Sequence, residues 1–255
     1  MENPPADNDN PNNETNLSSP EDAPVAPPLP TTEEDSFPWE DERLGFFDRY
    51  FQTLFRTFVD PWKLYAAMPV SGGYRKPMVF LLISTVIASL GAIVMMVPQM
   101  MMMPGFSFGA HQEAARFYEV YMVAQLVYYL LCIPLVFIML FVFTPISHGV
   151  LMLVGGAKNG FEATLRTQAY CTGLWGIVVL LPCIGALIAF VWGPIVETVA
   201  LKKAQQTGYW QAAFALVPMY FISFLFIIAF YLATLWVVAL IMAPEVLEMF
   251  NHTCG

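Results

Sequence analysis

Residues 155–203 read GGAKNGFEATLRTQAYCTGLWGIVVLLPCIGALIAFVWGPIVETVALKK, and their order decides the fold class. A basic loop leads into an apolar run, a break at Pro182 and Cys183 follows, and a second apolar run ends on a lysine pair. The runs 162–181 and 184–201 hold 20 and 18 residues. At about 1.5 Å per residue, each helix covers a hydrocarbon core of about 30 Å. Glu162, Arg166 and Gln168 enter the first run, and Glu197, Lys202 and Lys203 leave the second. A membrane hairpin is therefore expected, with both outer ends on one side and Pro182 on the other.

Composition agrees. The chain is 57% hydrophobic and 12% charged, well below the roughly 25% charged residues of a soluble domain. The net charge of −9 misleads about the membrane part, because residues 1–42 hold 12 of the 20 acidic residues and no Lys or Arg. From Arg43 onward, 11 basic residues face 8 acidic ones. The basic residues sit at span ends rather than in a stripe that could neutralise phosphates, so a nucleic-acid partner is not expected. The four cysteines form no disulfide framework or paired metal-ligand spacing and read as small packing residues.

Met1–Glu42 is rich in Pro, Asn, Asp and Glu and poor in large apolar side chains, so it is expected to be a disordered acidic tail. Its start lacks a basic and apolar leader and matches no myristoylation signal. Phe37 and Trp39 within it read either as a linker's stray aromatics, the favoured reading, or as a short docking motif. Residues 43–77 are expected to form an amphipathic interfacial helix and a linker. Phe47, Tyr50, Phe51, Leu54, Phe55 and Phe58 recur at helical spacing, with Asp48, Arg49, Gln52 and Arg56 mainly opposite. Such a helix lies in the lipid interface, or alternatively docks on the bundle or on a sister chain. Asp60 before Pro61 should end it.

Spans are expected at about 78–97, 120–143, 162–181, 184–201 and 212–242, followed by a short acidic tail at 243–255. Pro134 should kink the second span and Pro145 bend or end it. Asn159 and Glu162 suggest a capping box for the third, with Glu162 and Arg166 as an i,i+4 pair. The fold class expected is thus all-α: a polytopic helical membrane protein with five transmembrane helices, preceded by the amphipathic helix and the tail. With the N-terminus in the cytoplasm, Arg43, Arg49, Arg56, Lys63, Arg75, Lys76, Lys158, Arg166, Lys202 and Lys203 stay inside and only Arg116 lies outside. The C-terminus is then outside.

Several stretches resemble the Ypt-interacting protein (Yip) family. They are Pro61-Trp62, then Tyr74-Arg75-Lys76-Pro77 opening the first span, Ser147-His148 before Gly155-Gly156, and Gly160-Phe161-Glu162-Ala163-Thr164-Leu165-Arg166 with Tyr170. Pro182, Ile184-Gly185, Trp192 and Lys202-Lys203 add to it. The resemblance covers about residues 55–242, is specific mainly over 155–206, and looks closer to the prokaryotic branch. It implies five spans, a cytoplasmic N-terminal region and no catalysis. Eukaryotic relatives bind prenylated Rab-type GTPases and one another; the prokaryotic branch implies a membrane scaffold in a bacterial cytoplasmic (inner) membrane.

Sharper chemistry has a few candidates. Met95, Met96 and Met100–Met103, with His111 nearby, could offer thioethers to Cu(I) or serve as flexible apolar filler, the favoured reading. Glu197 is an acid inside an apolar run, either a proton or ion site or, as favoured, a structural group snorkelling or pairing with Lys202 or Lys203. His148 has no second ligand at metal-binding spacing and reads as a packing histidine. Gly72-Gly73 and Gly155-Gly156 match no phosphate-binding loop. No nucleophile-base arrangement stands out, and no cofactor, metal or enzymatic activity is expected. The residues expected at the membrane interface are Phe47 to Phe58 on the amphipathic face, with Arg75, Lys76, Lys158, Arg166, Lys202 and Lys203. The partners expected are the bilayer, a membrane or cytoplasmic protein, and further subunits. The alternative is a small transporter or channel component handling protons, ions or copper.

Overall fold

The computed structural model describes residues 36–102, 112–182 and 184–254, and these are helical with no strand among them. A 3-10 turn at Pro38–Glu40 precedes α1 (Phe46–Val59), α2 (Pro61–Ala66), α3 (Arg75–Met102), α4 (Gln112–Leu153), α5 (Gly160–Val178), α6 (Gly185–Gln205) and α7 (Tyr209–Cys254). Among the described residues four helices hold segments long and apolar enough to cross a membrane: Arg75–Pro98, Tyr121–Leu153, Gly185–Gln205 and Tyr209–Phe226. The chain thus has the make-up of a multi-pass membrane protein. α5 stands outside that set, because its first half carries Glu162, Thr164, Arg166, Thr167 and Gln168. It is also the central helix: every residue from Ala163 to Cys171 is buried.

The long helices alternate in direction. Thr144 and His148 of α4 bond Gln168 and Thr164 of α5, in reversed order. Gln205 at the end of α6 donates to the Gly160 carbonyl at the start of α5, and Gln211 early in α7 donates to the Val154 carbonyl beyond α4. α3 and α5 instead run parallel, joined through small residues. A Cβ on Gly173 would lie 3.0 Å from the Phe80 ring, one on Gly176 3.5 Å from Ala88, and one on Gly91 2.6 Å from Leu180. Small side chains let backbones approach closely, which is how helices gain packing where lipid competes for apolar contact. The start of α3, the end of α4, the start of α5, the end of α6 and the start of α7 therefore meet at one end of the bundle, called here the polar end.

α4 runs unbroken for 42 residues with Pro134 and Pro145 inside it. Of the bend or stop expected at Pro145, the stop does not occur. The helix continues, because breaking it among apolar neighbours would leave further backbone groups without partners, and a single missing N–H costs less. At the polar end α6 stops on Gln206 in the left-handed conformation, whose N–H and that of Thr207 return to the Lys203 and Lys202 carbonyls. At the far end the turn into α6 brings the Gly185 backbone against the Val178 carbonyl, where a Cβ has no room.

Candidate interface at the polar end of the bundle

Arg166 is fully buried on α5, and a buried guanidinium demands acceptors. The loop behind the short helix α2 supplies two. Nε donates to the Pro69 carbonyl at 2.8 Å and Nη1 to the Gly73 carbonyl at 2.6 Å. Gly72 and Gly73 have φ of 126° and 87°, so the loop takes a path that side-chain-bearing residues rarely follow. Glu162, one turn earlier, lies 3.6 Å from Nη1 and accepts the Gly73 N–H at 2.7 Å. The remaining nitrogen, Nη2, pairs with the Glu40 carboxylate, which also accepts the Tyr170 hydroxyl at 2.6 Å.

Glu40 arrives with two aromatic anchors. Phe37 and Trp39 are 3% and 5% exposed. The Phe37 ring lies 4.7 Å from Tyr170, and Trp39 meets Phe80 edge-on at 5.3 Å. The indole N–H of Trp39 donates to the Lys76 carbonyl at 2.8 Å, and the Lys76 ammonium reaches Glu42 at 2.9 Å. Arg43 pairs with Asp41 at 2.6 Å, and Ser36 donates to the same carboxylate at 2.8 Å. The Arg43 guanidinium holds the Asp41 carboxyl well below the usual carboxylate range, and Lys76 lowers Glu42.

The tail expected to be disordered through Glu42 is therefore docked from Ser36 onward. Its local composition is polar, but Phe37, Trp39 and Glu40 find partners on α1, α3 and α5 that a window of neighbouring residues cannot reveal. The one signal was an aromatic pair inside an acidic run. Arg166 is likewise corrected: it holds the interior together and does not face head groups. The capping box is absent too, since Asn159 gives its side-chain N–H to the Ala204 carbonyl and Glu162 turns to Gly73.

The aromatic face of α1 divides. Tyr50 is buried, its hydroxyl 3.0 Å from Ser84, while Leu54 and Phe58 are half-buried and Phe58 stands edge-on to Trp175. Phe47, Phe51, Phe55 and Val59 form an i,i+4 row that remains exposed. Thr53 and Thr57 fill the inner side, each bonding the carbonyl four residues back. One flank of α1 thus lies on the bundle and one apolar row faces outward.

Other expected residues lie around this end. Arg75 is exposed at the start of α3, and Lys76 is half-buried beside the docked segment. Lys158 is exposed and donates to the Gln206 carbonyl at 2.9 Å. Lys202 lies over the Tyr209 ring at 3.6 Å, and Lys203 is half-buried next to it. His148 is buried, its Nδ1 2.9 Å from the Thr164 hydroxyl and its ring edge-on to Phe161. Glu197 does not snorkel or pair along its own helix: it is 4% exposed, and its carboxylate accepts the Tyr220 hydroxyl of α7 at 2.6 Å. Met95 is exposed and Met96 buried, while Met103 and His111 of the methionine stretch lie outside the described residues. Among the described residues no three His, Cys, Asp or Glu gather as a metal site. Sequence reasoning missed Tyr170 and Glu40 as partners, and the Pro69 and Gly73 carbonyls carried no signal at all.

Comparison with family models, curated proteins and solved structures finds no match for this chain.

Proposed function

We propose that the chain is a non-enzymatic, five-span membrane protein of the Yip type, a scaffold that holds a protein partner at its polar end. In this reading α5 crosses together with α6 as a hairpin, and the polar end lies in the cytoplasm of a bacterium. Residues ten to one favour that side by positive charge, as worked out above. The observation that carries the proposal is the exposed row Phe47, Phe51, Phe55 and Val59, mounted on a helix whose other flank is fastened to the bundle. An apolar row of this length on an anchored helix suits the lipid interface beside the bundle or an apolar partner surface. Crosslinking in native membranes, with identification of the captured proteins, tests it. A defined partner lost on Phe51→Glu with Phe55→Glu is the expected result; an unchanged capture pattern defeats the reading.

One observation favours a second reading, a small transporter or channel component. Glu197 is buried in a helix apolar enough to span a membrane, with a tyrosine rather than a cation at its carboxylate. Proteoliposomes decide this: a proton or ion flux that Glu197→Gln abolishes supports transport, and no flux from the wild-type chain removes it.

A further inference from the structure

The pocket around Arg166 takes most of its walls from elements remote in sequence from the segment that fills it, with Phe46 and Tyr50 of the neighbouring α1 against Trp39. Tyr65 comes from α2, Phe80 from α3, and Arg166 and Tyr170 from α5, and each is part of the buried bundle. Two of the Arg166 acceptors, the Pro69 and Gly73 carbonyls, come from the loop after α2 and not from the segment that fills the site. Within the occupant, Phe37–Glu40, Glu40 stands 126 positions from Arg166, and residues 41–45 lead on into α1.

Its contacts follow the pattern of short-peptide recognition. Two aromatic side chains enter an aromatic-walled pocket, and a carboxylate three residues after the first meets a guanidinium and a phenol. One backbone carbonyl receives the indole N–H, and one lysine takes the next carboxylate but one. Aromatic and arginine contacts of this kind dominate the energetics of interfaces. A pocket cationic through Arg166 and Lys76 thus receives a segment whose residues 40–42 are all acidic.

We propose that this pocket is a binding site for an acidic aromatic peptide. The chain's own Phe37–Glu40 closes it, and a partner segment with an aromatic residue three positions ahead of a carboxylate displaces that closure. The proposal rests on the partner-binding reading, but it is tested with purified components and so fails separately from the crosslinking experiment.

The test uses the full chain in lipid nanodiscs and a fluorescein-labelled peptide carrying the sequence of residues 36–41, read by anisotropy. The variant Phe37→Ala, Trp39→Ala, Glu40→Gln empties the pocket. It should bind the peptide at least about tenfold more tightly than wild type, whose pocket is filled. A peptide with glutamine in place of the glutamate should lose at least about tenfold, the lower end for a hydrogen bond to a charged group. Equal binding by variant and wild type, or by the two peptides, overturns the proposal. Should the variant aggregate, hydrogen exchange on the wild-type chain decides. The amides of Glu40 and Asp41, bonded to the Phe37 and Pro38 carbonyls, should exchange faster with excess acidic peptide and not with the glutamine peptide. No acceleration, or the same acceleration from both, overturns it.

Discussion

Arg166 and Glu40 form the contact on which the polar end depends. Removing one partner of a buried pair leaves the other charge uncompensated, which costs about 3–5 kcal/mol. Glu40→Gln should therefore lower stability by about 3 kcal/mol, at the lower end because two carbonyls and Glu162 remain around the guanidinium. Thermal unfolding in detergent measures it; an unchanged midpoint would show that the pair contributes nothing. Arg166→Lys should be no milder, since one ammonium cannot reach acceptors arranged for a planar fork. The carboxylates beside Glu40 add a pH dependence. Asp41 and Glu42 are held below ordinary values of 3.8 and 4.5 by Arg43 and Lys76. Their contribution is then complete above those values and is lost as the pH falls through the lowered range. Protection of the Glu40 and Asp41 amides, bonded to the Phe37 and Pro38 carbonyls, should decline below about pH 4.5 and hold steady above it. Protection unchanged down to pH 3 would contradict the assignment, on the same linkage, to within about half a pH step.

At the scale of elements, α5 was legible as a helix but not as the core. Its charges looked like those of an interfacial end because Glu162, Arg166 and Gln168 follow a loop. In the bundle Arg166 and Gln168 turn inward, toward Glu40 and Thr144, while Glu162 caps the Gly73 N–H at the rim. The α3–α5 contact depends on absent side chains. Gly173→Leu should push against the Phe80 ring and Ser84 and destabilise the chain by about 1–3 kcal/mol, the usual cost of overpacking. Gly149→Leu, where nothing lies within 4 Å of an added Cβ, is the control for comparing unfolding midpoints. α1 shows the same limit of periodicity: of the residues its spacing placed on one apolar side, Tyr50 packs inward while Phe47 and Phe51 face out. Helical spacing says which residues share a face; it does not say which neighbour that face meets.

For the whole molecule, the alternation of α4, α5, α6 and α7 places Pro182 at the end opposite Gln206. A reporter enzyme active only outside the cytoplasm should work when fused after Pro182 and be silent after Gln206. The reverse pattern would mean that α5 does not cross, leaving only the four helices whose composition alone suffices. Hydropathy and charge order by themselves determined that this is a helical chain with the make-up of a membrane protein and its basic residues mostly at the ends of apolar runs. Burying about 20 apolar residues in lipid and keeping cations in water are properties of each segment taken alone. Only the tertiary structure decided that residues 36–42 belong to the bundle, that Arg166 faces inward and that Tyr220 meets Glu197. Each of those depends on groups brought together from 23 to 130 positions apart, and pairing over such separations is a property of the packed helices rather than of any stretch of chain.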